Sequence, residues 1–182
     1  MRLKKLSLRD ICLIGIFTAL TAVCAQISVP MPFGVPMTLQ TLILPLAGIV
    51  LGPRKGTLST AVYILTGALG VPVFAGFRGG FGVILGPTGG FILSFPLIAL
   101  AAGIGAGKKS VVWYVSGLLA GAALNYACGM FFYSLVTSNT LRAAFTACVL
   151  PFLPAAAVKI VLAGVSGRKI KSVLNKRVLR TN

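Results

Sequence analysis

The sequence predicts an all-α membrane protein with six transmembrane helices and both termini in the cytoplasm. The chain has 182 residues, of which 57% are hydrophobic and 10% charged, and its mean hydropathy is +1.00. Its apolar segments are too long and too numerous to be buried in one soluble core of this size. Its lysine and arginine residues lie mainly at the two ends of the chain and in alternate connections between the apolar segments. We expect one integral membrane domain over residues 1–182, with a basic cytoplasmic tail at about 168–182.

Apolar segments define the predicted helices, and the second of them is the weakest. It is short for a bilayer span and contains Pro45, which interrupts helical hydrogen bonding. We therefore expect this segment to be tilted, kinked or packed behind its neighbours. The six predicted segments are Ile11–Val29, Thr38–Leu51, Thr57–Val71, Gly89–Ala106, Val111–Val136 and Phe145–Val165.

The distribution of lysine and arginine orients the chain, because cytoplasmic loops of membrane proteins carry an excess of both. With six helices, the two ends and the second and fourth connections lie on one side. The opposite connections hold only Arg78 and Arg142, and Lys159 lies within the last segment. Nucleic-acid binding is disfavoured, because it needs basic residues clustered on one solvated face with aromatic residues between them. The basic side consists of Arg2, Lys4, Lys5, Arg9, Arg54, Lys55, Lys108, Lys109, Arg168, Lys169, Lys171, Lys176, Arg177 and Arg180.

The sequence lacks the side chains that most catalytic and metal sites need. It has no histidine and one acidic residue, Asp10. A Ser-His-Asp triad, a carboxylate pair, a conventional zinc site and a carboxylate proton relay are therefore excluded. No Gly-Lys-Ser/Thr phosphate loop is present, so any ATP hydrolysis would need a partner. We expect no catalytic residue, cofactor or metal, and we expect the four cysteines, which lack CxxC spacing, to serve packing.

Lys159 is the strongest candidate for a binding residue. It lies about midway along the last apolar segment, too far from either end for easy snorkelling, and a lysine at that depth costs about 3 kcal/mol to insert. No acidic side chain in the membrane can pair with it. A bound anion, such as a substrate carboxylate, would supply the counter-charge. The alternative is an interfacial lysine in a shifted helix.

Two outward connections, 29–37 and 71–90, are rich in proline, glycine and aromatic residues and carry almost no solubilising charge. Loops of this composition are typical of lids or binding loops. Arg78 is either a bidentate partner for a carboxylate or a solvated loop arginine. Thr38 and Gln40 either donate hydrogen bonds at the outer mouth of a cavity or cap a helix.

Two further pairs of residues are candidates for packing or binding. Asn125 and Tyr126 are polar groups within the fifth apolar segment, where interhelical hydrogen bonding is the commoner role and ligand binding the alternative. Gly15 and Ala19 form a small-xxx-small pattern, which lets a second helix approach closely. That second helix belongs either to a partner or to this chain.

Several blocks in this order are distinctive: Thr-Leu-Gln-Thr at 38–41, Gly-Val-Pro-Val-Phe-Ala at 70–75 and Gly-Pro-Thr-Gly-Gly at 86–90. Together with the first helix they resemble the BioY family, the biotin-specific substrate-binding (S) components of energy-coupling-factor (ECF) transporters. The resemblance covers most of the chain. Its further blocks are Leu46–Gly48, Leu51–Pro53, Tyr63–Gly70 and Pro151–Pro154 with Lys159.

The resemblance implies the S-component fold and high-affinity uptake of biotin across the cytoplasmic membrane. It implies cytoplasmic association with a transmembrane coupling subunit and two ATPases, with Gly15 and Ala19 docking the coupling subunit. It also implies a ligand pocket near the outer face, under the first and third connections. Residues at or beside the pocket would be Thr38, Gln40, Phe74, Arg78, Phe91 and Lys159.

The chain departs from the family pattern at two positions. The family usually has Asp three residues before its lysine, where this chain has Ala156, and often has Tyr where this chain has Phe91. The missing carboxylate removes an acceptor for the ureido N–H groups of biotin. Two alternatives therefore stay open. One is the same fold binding another small carboxylate-bearing vitamin or a biotin precursor, and the other is a structural or assembly membrane protein whose glycine-rich loops only pack.

Overall fold

A computed structural model describes residues 6–179, and their side chains as far as residue 174. Of the predicted basic side, Arg2, Lys4, Lys5 and Arg180 and the side chains of Lys176 and Arg177 lie outside this part. The described chain is mainly helical. Its elements are α1 Leu8–Gln26, β1 Ser28–Val29, β2 Met37–Thr38, α2 Gln40–Leu51, α3 Pro53–Ala68, α4 Phe81–Leu85, α5 Gly89–Leu93, α6 Phe95–Ala106, α7 Val111–Thr137, α8 Leu141–Cys148, a 3₁₀ turn Leu150–Phe152 and α9 Leu153–Leu179.

Asp10 has a structural role at the start of α1. The Ser7 hydroxyl accepts from the Asp10 backbone N–H at 3.2 Å, and the Asp10 carboxylate accepts from the Ser7 backbone N–H at 3.2 Å. This capping box satisfies two N–H groups at the helix end. The same carboxylate pairs with the Lys55 ammonium of α3. The only acidic side chain of the protein is therefore already occupied in holding two helices together.

Helix α2 lies behind its neighbours, as the sequence predicts. It contacts α1, α3, α6 and α9, and Pro45 is buried within it. Gly48 allows the closest approach, because a Cβ atom there would lie 2.0 Å from the Ala99 carbonyl oxygen of α6. Gly52 ends α2 with φ at +85°, and Pro53 at once begins α3, where its missing N–H costs no helical hydrogen bond.

Gly48→Ala should lower the melting temperature of the detergent-purified protein by several degrees. The added methyl group meets backbone of α6, which cannot rotate away, and overpacking of this kind costs about 1–3 kcal/mol. Gly82→Ala is the matched control, since a Cβ atom at Gly82 meets nothing within 4 Å. Equal melting temperatures for the two variants would show that α2 and α6 are packed less closely than described.

Four helical stretches of the described chain are long and apolar enough to cross a membrane: Leu8–Gln26, Gly89–Ala106, Val111–Thr137 and Leu141–Leu174. Gln40–Leu51 is a shorter apolar helix. The protein is thus a multi-pass membrane protein. By length and composition alone, fewer spans qualify than the six predicted.

Two predicted segments are not single continuous helices. The fourth is divided into α5 and α6 at Ser94, whose hydroxyl donates to the Gly90 carbonyl at 2.8 Å and the Phe91 carbonyl at 3.0 Å. The prediction of one helix over Phe145–Val165 is wrong. α8 ends at Cys148, a 3₁₀ turn follows, and α9 begins at Leu153, because Pro151 and Pro154 cannot continue the helical hydrogen bonding of α8.

Candidate functional site

A cavity lies beneath the loops that follow α1 and α3 and extends to α7 and α9. It brings together residues that are distant in the sequence, such as Thr38 and Lys159, which are 121 positions apart. All eight side chains predicted from the sequence as binding candidates line it. They are Thr38, Gln40, Phe74, Arg78, Phe91, Asn125, Tyr126 and Lys159.

The first loop is held closed by the short β1–β2 hairpin. Ser28 pairs with Thr38, and Val29 pairs with Met37. Gly34 takes φ of +79° at the turn, in the left-handed region that favours glycine. This turn places Val35 against the cavity with 7% of its surface exposed. The loop is therefore partly buried.

The second loop makes a tight turn over the cavity. The Phe74 N–H donates to the Arg78 carbonyl at 2.9 Å, and the Arg78 N–H donates to the Phe74 carbonyl at 3.3 Å. Between them, Gly76 and Phe77 have φ of +69° and +55°. The turn buries the Phe74 ring and leaves the Arg78 side chain exposed at the mouth. The connection also holds a short helix, α4, before α5 begins.

Gln26, which no sequence pattern singled out, positions this second loop. Its amide nitrogen donates to the Val73 carbonyl at 3.3 Å and the Phe74 carbonyl at 3.2 Å. Its amide oxygen accepts from the Phe77 N–H at 2.9 Å. The last residue of α1 therefore fixes the loop that carries Phe74 and Arg78.

A buried polar network links the two loops. The Thr38 hydroxyl donates to the Gln40 amide oxygen at 2.9 Å, and the Gln40 amide nitrogen bonds the Tyr63 hydroxyl. The Tyr63 hydroxyl donates in turn to the Val73 carbonyl at 2.9 Å. Because these groups satisfy one another, the pocket wall is held in one arrangement. Thr38 ends β2 and Gln40 begins α2, and both residues are part of the cavity wall.

Lys159 reaches from α9 to the first loop. Its ammonium donates to the Thr38 carbonyl at 2.7 Å and to the Thr41 hydroxyl at 3.3 Å. Its side chain is half-buried. The last apolar segment is not one continuous helix, and Lys159 lies about two turns after Leu153, where α9 begins. Both hydrogen-bond partners are neutral, so neither balances its charge.

Two aromatic rings of the wall rest against glycines. A Cβ atom at Gly67 would lie 2.2 Å from the Phe74 ring, and one at Gly129 would lie 2.2 Å from the Phe91 ring. The Phe91 and Tyr126 rings meet edge to face, with centroids 6.4 Å apart. These close approaches set the position of both phenylalanines.

Asn125 has an internal role alongside its place on the cavity wall. Its amide nitrogen donates to the Phe91 carbonyl and to the Ser94 hydroxyl, both at 2.8 Å. These bonds join α7 to the break between α5 and α6. The interhelical hydrogen bonding expected for this residue is therefore present.

Several lining residues were not among the binding candidates predicted from the sequence. Thr41, Cys148 and Phe152 line the cavity. A second space adjoins the cavity past Lys159. It shares Thr41, Asn125 and Tyr126 with the cavity and is otherwise mostly apolar, and Ala156 forms part of its wall. Within residues 6–174, no group of three or more metal-binding side chains lies together.

Gly15 and Ala19 lie on the exposed face of α1. A Cβ atom at Gly15 would meet nothing within 4 Å. The opposite face of α1 is the one that packs against the rest of the protein, through Ile14, Phe17, Thr21 and Ala25. Within the described chain these small residues therefore do not serve internal packing.

Residues 1–176 match the sequence model of the BioY family. The chain belongs to that family. The Biotin transporter BioY of Thermotoga maritima is 40% identical over 167 residues, which cover 91% of this chain and 98% of the relative. The Biotin transporter BioY of Rhodobacter capsulatus is 36% identical, in an alignment that covers 89% of this chain and 93% of the relative.

The fold of this BioY-family chain is also that of a solved structure. The S-component for biotin from an ECF-type ABC transporter superposes with a TM-score of 0.82, covering 90% of this chain and 91% of the other. The two sequences are 24% identical. The resemblance to the S-component fold inferred from sequence blocks is thus confirmed.

Proposed function

We propose that this BioY-family chain binds biotin in the cavity beneath its outer loops and is the substrate-specific component of an ECF transporter. The observation that carries the proposal is the Lys159 ammonium on the cavity wall, held by a carbonyl and a hydroxyl. The only acidic side chain, Asp10, pairs with Lys55. The carboxylate of a ligand would therefore supply the missing charge, in a charge-assisted hydrogen bond.

The rest of the cavity suits the remainder of such a ligand. Phe74, Phe91 and Phe152 offer apolar surface, and the polar groups of Gln40 and Asn125 are few and fixed in position. A mostly apolar wall with a few converging polar groups is the usual form of a small-molecule site. We place the exposed guanidinium of Arg78 at the mouth, where it attracts the ligand before the loops enclose it.

The proposal includes the membrane arrangement. We infer six spans in a single domain over residues 1–182, counting α2 and α3 as short inner spans, with both termini and the tail at about 168–182 in the cytoplasm. The basic connections at 54–55 and 108–109 support this orientation under the positive-inside rule. The candidate ligand cavity then opens outward, and the opposite end faces the coupling subunit and two ATPases.

Binding of labelled biotin to the detergent-purified protein tests the proposal. Equilibrium dialysis is expected to give saturable binding with one biotin per chain. Absence of saturable binding by a protein that still melts cooperatively would overturn it and favour the structural or assembly role.

A biotin precursor is the second candidate, and Ala156 favours it. The adjoining space past Lys159 has apolar surface where the family usually has a carboxylate, which favours an apolar part of a ligand there over a ureido ring. Pimelate, which has carboxylates and no ureido ring, is a suitable probe in competition with labelled biotin. Displacement of biotin only by a large excess of pimelate favours biotin, whereas stronger binding of pimelate favours the precursor.

The orientation predicts the activity of reporter fusions. Alkaline phosphatase, which is active only outside the cytoplasm, should be active when fused after Asn139 and inactive when fused after Lys108. The same activity at both positions would contradict the six-span arrangement, because the two sites flank α7 and should lie on opposite sides of the membrane.

A further inference from the structure

A second charged site lies far from the ligand cavity, where α6 ends and α7 begins. We propose that this basic groove binds the phosphate headgroup of an anionic phospholipid. We define the basic groove by the cations that line it, Lys108 and Lys109 of the α6–α7 connection and Arg168 and Lys171 of α9. Arg168 lies about 14 Å along the α9 axis from Lys159 at 1.5 Å per residue, so the two sites are separate.

Internal contacts fix the shape of the basic groove. The Lys171 ammonium donates to the Ala106 carbonyl at the end of α6, at 3.0 Å. The Arg168 guanidinium lies 4.0 Å from the centre of the Tyr114 ring, and the Tyr114 hydroxyl donates to the Gly164 carbonyl at 2.7 Å. The partners of both cations are neutral. These contacts hold two positive charges at the junction of three helices.

No side chain of the protein neutralises the basic groove. Asp10 is the single acidic residue of the sequence, and it pairs with Lys55. Lys108, Lys109 and Arg168 are exposed. Four close cations without an acidic partner repel one another, so an anion from outside the chain stabilises the arrangement.

The position of the basic groove indicates a lipid headgroup. The connection 107–110 joins two candidate membrane spans, Gly89–Ala106 and Val111–Thr137, so its lysines lie at the level of the membrane surface. The first turn of α7 presents Val112 and Trp113 outward, with 73% and 59% of their surface exposed. A phosphate in the groove therefore has apolar surface beside it for the acyl chains. Basic pockets between transmembrane helices are a known form of anionic lipid site.

Trp113 allows a direct test, because it is the only tryptophan of the protein and precedes Tyr114 of the basic groove. The full chain is reconstituted in phosphatidylcholine vesicles with increasing fractions of phosphatidylglycerol brominated near the glycerol end of its acyl chains. Bromine quenches tryptophan fluorescence on contact. We expect half-maximal quenching at a mole fraction about tenfold lower than with brominated phosphatidylcholine, since each nearby cation strengthens the attraction.

Two double variants, each lacking two positive charges, distinguish a specific lipid site from attraction by the net charge of the protein. Lys108→Gln with Arg168→Gln should abolish most of the preference for the anionic lipid. Arg9→Gln with Arg54→Gln removes two exposed cations outside the basic groove and should leave the preference for the anionic lipid intact. Lys171 is left unchanged because its ammonium donates a hydrogen bond to the Ala106 carbonyl of α6. Melting curves check that both variants fold. Quenching of Trp113 by brominated phosphatidylcholine checks that both insert into the membrane in the same way.

Two outcomes would overturn the proposal. Equal loss of preference in both double variants would show attraction by net charge without a site. Loss of the preference in wild-type protein on adding inorganic phosphate, with chloride of the same ionic strength having no effect, would assign the basic groove to soluble phosphate instead of lipid.

Discussion

Replacing Lys159 with alanine should weaken the binding of biotin by at least about tenfold, the loss expected when one charge-assisted hydrogen bond is removed from a partly buried site. The ammonium is the cation of the inner cavity wall, and its partners, the Thr38 carbonyl and the Thr41 hydroxyl, are neutral. Isothermal titration of the purified variant with biotin measures the effect.

Lys159 also ties α9 to the first loop, so a structural effect must be distinguished from contact with the ligand. Biotin amide, which lacks the carboxylate, makes the distinction. If the ammonium meets the carboxylate, Lys159→Ala weakens biotin and leaves the amide almost unchanged. Equal weakening of both would make Lys159 a positioning residue for the loop. Lys169→Ala, an exposed change on the same helix, is the control and should bind biotin as wild type does.

The long apolar helices follow from the sequence because their boundaries are set locally. The predicted segment Val111–Val136 corresponds to α7 at Val111–Thr137, where Ser110 precedes the first turn and a run of apolar residues follows. The weak second segment is a short helix that contains Pro45 and lies among four others. In both cases hydropathy and one special residue determine the outcome.

The breaks within helices were harder to predict, because hydropathy does not change across them. Ser94 is a small residue in an apolar run, and its hydroxyl bonds carbonyl groups one turn back. Such bonds are a known cause of bent helices, but serine more often sits in helices without breaking them. Pro151 and Pro154 are a stronger indication of a helix break, but the predicted segment Phe145–Val165 continued through both.

The cavity-lining candidates came from residue type and sequence blocks, whereas the residues that hold the loops depend on long-range contact. Gln26 was hidden at the end of an apolar helix, and its contacts lie about 50 positions further along the chain. Tyr63 was part of a recognised block, but its bond to Gln40 links different helices. Neither contact follows from hydropathy or local spacing.

Replacing Gly15 and Ala19 together with leucine should reduce biotin uptake by the assembled transporter about tenfold or more, since small residues are what allow two membrane helices to approach closely. Binding of biotin to the isolated variant should not change, because both positions face outward on α1 and a side chain at Gly15 meets nothing within 4 Å. Dialysis of the purified chain measures binding. ATP-dependent uptake after reconstitution with the coupling subunit and both ATPases measures transport.

Comparing biotin binding with biotin uptake tests whether Gly15 and Ala19 belong to a surface that contacts a partner. Ala123→Leu is the control, because Ala123 is an equally small, exposed residue on α7, and it should lower neither quantity. If the double variant binds biotin, transports it normally and co-purifies with the coupling subunit, then the outer face of α1 contacts lipid alone, and the docking surface lies elsewhere on the protein. Loss of binding together with uptake would instead point to a disturbed α1, whose Gln26 holds the loop over the cavity.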